Sequence, residues 1–146
     1  MSIGIRITLV VLGIFAALFG LQIAASESGE VVVVTTNDAG SGASHSTRVW
    51  VVDHDAHAWI RAGAPGAAWF KRLTGSPTIQ VRRGATTQTY TAVPEPGARA
   101  MINALYAAKY GWADGLVGIM VDHRASVPIR LDPVPPAQSP SPPPPA

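Results

Sequence analysis

Residues 47–63 read TRVWVVDHDAHAWIRAG, and this stretch decides the fold. Apolar and β-branched residues dominate Thr47–Val52 and Ala58–Ala62, and the polar run DHDAH separates them. Two short runs of this kind around a polar connection indicate a β-hairpin. We therefore predict two antiparallel strands with Asp53–His57 at their tip.

The register of this hairpin depends on the length of its loop. A four-residue loop, Asp53–Ala56, places Trp50 opposite Trp59. The same loop places Arg48 opposite Arg61, whereas a loop one residue longer breaks this register. Facing aromatic rings attract, but facing arginines repel unless an anion lies between their guanidinium groups. The pair indicates either an anion clamp or two arginines that only extend over the tryptophans.

The acids and histidines of the hairpin tip have the chemistry of metal ligands. A structural zinc ion, however, normally takes four ligands from at least two segments. The four candidates here lie in one tight turn: Asp53, His54, Asp55 and His57. Aspartate is also an ordinary turn residue, because its side chain bonds the nearby backbone. We predict a solvated tip and no metal site.

Patterns on both sides of the hairpin predict further strands and helices. Val31–Thr36 is β-branched throughout and too short for a helix. Apolar residues at i, i+3, i+4, i+7 and i+8 from Ala98 indicate an amphipathic helix that stops at Gly111. The other predicted elements are a short helix ending at Gly75, strands at 77–83, 86–93 and 126–131, and a helical extension at 112–121. Mostly antiparallel strands with two intercalated helices predict a small α+β barrel or half-barrel.

The first residues form an apolar stretch. Ile7–Ala25 has 19 residues without a charge, close to the length of a helix that crosses ~30 Å of hydrocarbon. Because Arg6 precedes it and Glu27 follows, the positive-inside rule predicts a single-pass membrane anchor with a cytoplasmic N-terminus and an extracytoplasmic domain. The alternative is a cleaved signal peptide, since small residues follow the apolar core.

The composition sets the domain boundaries. Residues 1–26 form the predicted anchor, and residues 27–132 form one folded domain. Residues 133–146 read PVPPAQSPSPPPPA and lack the apolar side chains that would offset the entropy of ordering. We therefore predict a disordered proline-rich tail.

The same composition excludes several classes of function. With no cysteine, the chain has no disulfide, thiolate metal site or cysteine nucleophile. The net charge is only +2 and the basic residues are scattered, which argues against a nucleic-acid partner. The sequence has neither a G-x-S-x-G elbow nor a phosphate-binding P-loop.

Segments in a fixed order along the chain resemble a known family. They are TTNDAG, STRVWVVD, AWIRAG, WFKRLTGSPTIQVRRG, the strand end Y-x-A-x-P at residues 90–94, KYGWAD and VPIRL. Together they resemble the split β-barrel proteins of the flavin- and deazaflavin-dependent nitroreductase/quinone reductase group, in the pyridoxamine-phosphate-oxidase-like superfamily. The nearest resemblance is to an uncharacterised, membrane-anchored subfamily. It implies a six-stranded split β-barrel, often dimeric, with a cofactor in a groove beside the second and third strands.

The resemblance also implies a site and an activity. The cofactor would be FMN or an 8-hydroxy-5-deazaflavin coenzyme. The predicted cofactor-binding residues, with Trp50 of the hairpin included, are Ser46, Thr47, Arg48, Trp50, Arg61, Ala62, Gly63, Trp69, Lys71 and Arg72. The implied activity is reduction of a small or lipid-soluble acceptor such as a quinone, with hydride chemistry that belongs to the cofactor. The alternative is a non-catalytic module that binds an anionic small molecule or forms a homodimer.

Overall fold

The computed structural model describes residues 3–27 and 30–136, with side chains described at all of these positions except 3, 6 and 18–27. The helices are α1 (Ile3–Glu27), α2 (Ala68–Gly75), α3 (Arg99–Tyr110) and α4 (Trp112–Met120), with short 3-10 helices at Pro96–Ala98 and His123–Ala125. The strands are β1 (Val31–Asn37), β2 (Ser44–His54), β3 (His57–Ala62), β4 (Thr78–Arg83), β5 (Thr86–Pro94) and β6 (Val127–Pro133). The predicted tail lies outside the described residues from position 137 onward.

Six antiparallel strands close into a barrel in the order β1-β2-β3-β6-β5-β4. The predicted α+β architecture with a six-stranded barrel is therefore confirmed. Alternation along β1 shows how the sequence builds it, because Val32, Val34 and Thr36 are buried while their neighbours are partly exposed. The fully buried interior also includes Ile60, Leu73, Ile79, Ile129 and Leu131. Burying one such side chain stabilises the fold by ~1.5–3 kcal/mol.

The β2–β3 hairpin differs from its predicted register. Its strands pair His54 with His57 and Val52 with Trp59, so the loop has two residues, not four or five. Asp55 and Ala56 form this loop with φ of 49° and 60°. Both central residues of a type I′ turn need positive φ, and glycine usually supplies it at the second position. Because alanine stands there, the sequence carried no clear signal for the tight turn, and the predicted pairing of Arg48 with Arg61 is wrong.

Helix α3 covers the outer face of this hairpin. Its residues Ile102, Tyr106 and Tyr110 lie one turn apart and form a second apolar cluster with Val52 and Trp59. The amphipathic helix predicted from residue 98 is thus confirmed, and α4 follows it where the helical extension was predicted. The cluster holds α3 against β2 and β3, and α4 follows α3 in the chain.

The predicted membrane anchor Ile7–Ala25 lies within α1. Side chains of this stretch are described only up to residue 17. Within the described part of the chain, no helix is long and apolar enough to cross a membrane. The anchor therefore stays a prediction.

An ion-pair network ties one end of the barrel together. Arg83, at the end of β4, donates to both carboxylate oxygens of Asp53 at 2.8 and 2.7 Å and to both of Glu30 at 2.5 and 2.9 Å. Lys109 of α3 donates to the same Glu30 at 2.6 Å. Hydrogen bonds from Arg83 hold the pKa values of Glu30 and Asp53 below their ordinary values.

We expect Arg83→Gln to lower stability near neutral pH and to lose this effect in acid. A depressed carboxyl pKa contributes stability above the unfolded-state pKa, which is 4.5 for Glu30 and 3.8 for Asp53, and the contribution disappears as the pH falls below these values. Since the partners are partly exposed, we expect less than ~1 kcal/mol. Urea unfolding between pH 3 and 7 measures it. Arg82→Gln is the matched control, because Arg82 has no ion-pair partner among the described residues, and equal pH profiles for the two variants would contradict the assignment.

Candidate functional site

A cleft of about 470 Å³ lies outside the barrel, where β2 and the end of β3 meet the helices. Its volume falls within the ~300–1,000 Å³ typical of sites for small molecules and cofactors. Strand residues of the wall are Val31, Thr47, Arg48, Val49, Trp50 and Arg61, and the remaining wall residues are Gly63, Trp69, Tyr106, Val117, Val121 and His123. The lining is mainly apolar and aromatic, with a few polar groups.

Arg61 forms a buried ion pair at the base of the cleft. Since Ile60 and Ala62 point into the barrel, Arg61 points outward toward α3 and α4. Its guanidinium donates to Asp114 Oδ1 at 2.5 Å and to Asn103 Oδ1 at 3.0 Å, and its Cζ lies 4.1 Å from the centre of the Tyr106 ring. The Arg61 and Asp114 side chains are each only 5% exposed. Arg61 is therefore neutralised within the protein and does not form an anion clamp with Arg48.

Two tyrosines of α3 fix the aromatic wall of the cleft. The Tyr106 hydroxyl donates to the Trp50 carbonyl at 2.7 Å, and the Tyr110 hydroxyl accepts from the Val51 N–H at 3.1 Å. The Tyr110 ring stacks on the Trp50 indole with centroids 4.5 Å apart and planes 10° apart. Burial raises the pKa of both tyrosines, so their hydroxyls stay protonated and keep their hydrogen bonds. The Trp50 indole is thus held in one position.

Gly63 allows the chain after α4 to pack against the end of β3. A Cβ at this position would lie 2.9 Å from Val121 Cγ1, closer than side chains approach one another. Val121 therefore fills the space beside Gly63, and both residues form part of the wall of the cleft.

Arg48 is the cation of the cleft that remains available. It lies on the outer face of β2, opposite Val33 of β1, and its side chain is exposed. It forms no hydrogen bond or ion pair with the described part of the chain. Arg48 is therefore the guanidinium that can receive an anionic group of a ligand.

The structure brings six of the ten predicted cofactor-binding residues to the cleft. These are Thr47, Arg48, Trp50, Arg61, Gly63 and Trp69. The other four lie elsewhere. Ser46 is within 3.2 Å of the Thr35 hydroxyl, Ala62 is buried in the barrel, and Lys71 is exposed on α2. Arg72 donates to the buried Thr36 hydroxyl at 3.0 Å. The functional assignment of all ten stays a prediction.

Sequence reasoning missed six wall residues: Val31, Val49, Tyr106, Val117, Val121 and His123. The valines carry no chemical signal, because the same residue type fills the barrel interior. Tyr106 was predicted only as an apolar position of its helix. Asp114 is the single acid of the segment WADGLVGIM, but the sequence does not show that this acid is buried and therefore needs a basic partner.

Comparisons with known proteins agree with this fold. A family model described as "Uncharacterized protein conserved in bacteria (DUF2255)" matches residues 22–131. No curated protein matches the sequence.

Three solved structures illustrate the similarity. An F420-H2 dependent reductase (FDR-A) is 20% identical with a TM-score of 0.58, over 70% of this chain and 94% of that chain. A FAD-binding protein from Mesorhizobium loti is 11% identical with a TM-score of 0.53, over 77% and 86%. A putative pyridoxamine 5′-phosphate oxidase from Listeria innocua is 15% identical with a TM-score of 0.52, over 80% and 93%. The TM-scores show that the chain shares a split-barrel fold with these proteins, and at identities this low the similarity shows the fold alone.

Proposed function

The chain belongs to the DUF2255 family, and from this premise we propose that its cleft binds a flavin or deazaflavin cofactor with which the protein reduces a small acceptor. The observation that carries the proposal is the combination of fixed aromatic walls with one available guanidinium in a cleft of about 470 Å³. Solved structures with this fold include a reductase that depends on F420 and a FAD-binding protein, which supports the choice of cofactor.

The aromatic walls fit a flat heteroaromatic ring. Trp50 is held by Tyr110 on one side, so its position does not depend on a ligand. Tyr106 is fixed by its hydrogen bond and by Arg61, and Trp69 approaches from α2. Aromatic rings bind other rings by offset stacking or edge contact, and preorganised walls lose little entropy on binding. The cleft therefore suits an isoalloxazine-type ring.

The charges fit a ligand with one anionic group. A phosphate accepts charge-assisted hydrogen bonds from a guanidinium, and Arg48 has no competing carboxylate among the described residues. Arg61, by contrast, already faces Asp114 and adds no net charge to the cleft. Binding should thus depend on Arg48 at the cleft wall and on Arg61 only through the position of the wall.

The chain's own contribution to reduction would be positioning and exclusion of water. A bound flavin or deazaflavin supplies hydride transfer by its own chemistry. Val31, Val117 and Val121 give the cleft an apolar surface that keeps water from the reacting atoms. Arg48 would hold the anionic end, and the aromatic residues would orient the ring. This division of roles explains why no catalytic motif is needed in the sequence.

We expect the full chain, purified in detergent, to bind FMN, FAD or an 8-hydroxy-5-deazaflavin coenzyme with one site per chain. Absorbance and fluorescence titrations measure the affinity. Arg48→Gln should weaken binding about tenfold, equivalent to ~1.4 kcal/mol. Arg82→Gln is the matched control. Arg48 of β2 and Arg82 of β4 both pair with Val33 of β1, from opposite sides, but Arg82 lies outside the cleft.

The outcomes separate the two candidate functions. No binding of any of the three cofactors would sink the redox proposal. Binding without reduction of any acceptor would favour a non-catalytic module for an anionic small molecule. Equal losses in Arg48→Gln and Arg82→Gln would show that the anionic group is not held in the cleft.

We further propose that Ile7–Ala25 anchors the chain in a membrane with the N-terminus in the cytoplasm and the barrel outside. Its uncharged length and the flanking Arg6 and Glu27 support this orientation. An anchored barrel would hold the apolar cleft near a lipid-soluble acceptor such as a quinone. A reporter that is active only outside the cytoplasm, fused to the C-terminus, should be active. Activity of a reporter that works only in the cytoplasm, fused at the same position, would refute the orientation.

Homodimerisation stays a prediction, which light scattering tests.

A further inference from the structure

His123 stands between two cavities. It follows α4 at the start of the 3-10 helix His123–Ala125, and its side chain is 23% exposed. It lines the cleft and also a second cavity of about 450 Å³, which the start of α3 and Arg124 bound. Among the described residues that line the cleft, it is the only histidine.

The position of the His123 ring is fixed by its surroundings. A Cβ on Gly118 would lie 3.0 Å from Cε1, so the ring packs directly on the α4 backbone. The His123 carbonyl accepts hydrogen bonds from Asn103 Nδ2 at 3.0 Å and from Ser126 Oγ at 2.7 Å. These contacts hold the residue from both its side-chain and its main-chain atoms.

Neither ring nitrogen of His123 forms a hydrogen bond with the described residues, and one of the two is buried. Nε2 is buried and is the sole buried side-chain nitrogen or oxygen without a partner among the described residues. The nearest carboxylate oxygen, Asp114 Oδ1, is 3.8 Å away and already accepts the Arg61 guanidinium. Buried polar atoms in proteins are nearly always satisfied, so Nε2 is a place where a bound water, a ligand or a proton-transfer partner would complete the hydrogen bonding.

We propose that His123 holds the proton that a bound acceptor takes up on reduction, and that it exchanges this proton with solvent through the second cavity. The inference rests on the proposed reductase function and assigns a residue to its proton step. The acceptor receives a hydride from the reduced cofactor, which is thereby oxidised, and a proton from the imidazolium. The neutral imidazole then regains a proton from solvent, so electrons and protons balance.

Charged side chains lie around His123 on the elements that pack against it. On the cleft side, Arg61 of β3 and Asp114 of α4 form the neutral pair next to Nε2. On the side of the second cavity, Arg99 of α3 donates to the Ser126 carbonyl at 2.6 Å, and Arg124 lies next to His123 in the chain. Asp122 is the preceding residue and caps the 3-10 helix by accepting from the Arg124 N–H. The charged groups named around His123 are thus three arginines and two aspartates, of which Arg61 and Asp114 form the pair on the cleft side.

The test compares two oxidants of the FMN-loaded, reduced full chain. Benzoquinone requires protons as it is reduced, whereas ferricyanide accepts electrons alone. In His123→Asn, stopped-flow reoxidation by benzoquinone should slow about a hundredfold, the low end of what general acids contribute, and reoxidation by ferricyanide should change less than about twofold. Gly118→Ala, which displaces the His123 ring, should also slow reoxidation by benzoquinone.

A second readout does not depend on turnover. NMR titration of the histidine Cε1–H signals, with His123 assigned from His123→Asn, should show that FMN binding moves the titration midpoint of His123. The midpoint of His45, which is exposed and paired with Asp38 at 3.1 Å, should not move. Equal slowing with both oxidants, or an unmoved His123 midpoint when FMN is bound, would overturn the inference alone. Failure of the wild-type chain to bind FMN would overturn the FMN proposal and this inference together.

Discussion

Arg61→Leu is expected to lower the free energy of unfolding by ~3–5 kcal/mol, the loss found when one partner of a buried ion pair is removed. The Asp114 carboxylate is 5% exposed, and its strongest partner is the Arg61 guanidinium at 2.5 Å. Without that guanidinium, a buried charge would face only His123 at 3.8 Å. The variant would also lose the hydrogen bond to Asn103 and the contact with the Tyr106 ring.

Urea unfolding of the full chain at pH 7 measures this loss, and two further variants make it specific. In the double variant Arg61→Leu with Asp114→Leu, both charges are gone, and most of the stability should return because apolar replacements of buried pairs are often neutral. Arg48→Leu removes an exposed guanidinium without a partner among the described residues, so it should change stability by no more than ~0.5 kcal/mol. A loss below ~1 kcal/mol in Arg61→Leu would mean that the pair is solvated.

Arg61 also shows where sequence reasoning ended. Its position near the end of the third predicted strand was correct, because an apolar run beside a polar connection identifies a strand of a hairpin. Its partner, Asp114, lies 53 residues away in the chain, and no local pattern connects the two. The anion clamp with Arg48 was inferred from a hairpin register with a four-residue loop, Asp53–Ala56. The turn at Asp55 and Ala56 is short despite the lack of glycine.

The strands were predictable for the opposite reason. Each strand carries its own alternation or β-branched run, so the six strands and the β2–β3 and β4–β5 hairpins follow from short windows of sequence. The six-stranded barrel was implied by the family resemblance, because the β1–β4, β3–β6 and β5–β6 pairs join segments that are far apart in the chain. A cleft is a property of several elements at once. Val31 from β1 and Val117 from α4 both line it, and neither residue differs in type from the valines that fill the barrel. Wall residues of this kind become visible only when the elements are packed.

Val117→Trp should abolish cofactor binding while the barrel stays folded. Val117 lies on the face of α4 that lines the cleft, so an indole at this position would occupy the volume proposed for the cofactor ring. We expect the affinity for FMN to fall at least about a hundredfold, equivalent to ~2.7 kcal/mol. Enlarging a side chain in a packed core costs ~1–3 kcal/mol, but here the added atoms enter open space, so the urea midpoint should change little.

Leu116→Trp is the matched control for this variant. Leu116 precedes Val117 on α4 but is 41% exposed and does not line the cleft, so the same substitution there adds the same side chain without filling the site. Its FMN affinity should match that of the wild type. If both variants bind FMN normally, the cofactor lies elsewhere on the barrel. If both variants lose FMN affinity but still unfold at the wild-type urea concentration, the loss reflects a change in α4 as a whole. The cofactor ring then does not lie against Val117. A cofactor ring in the cleft is supported only if Val117→Trp loses FMN affinity and Leu116→Trp keeps it, because the two residues share a helix and differ in the side they face.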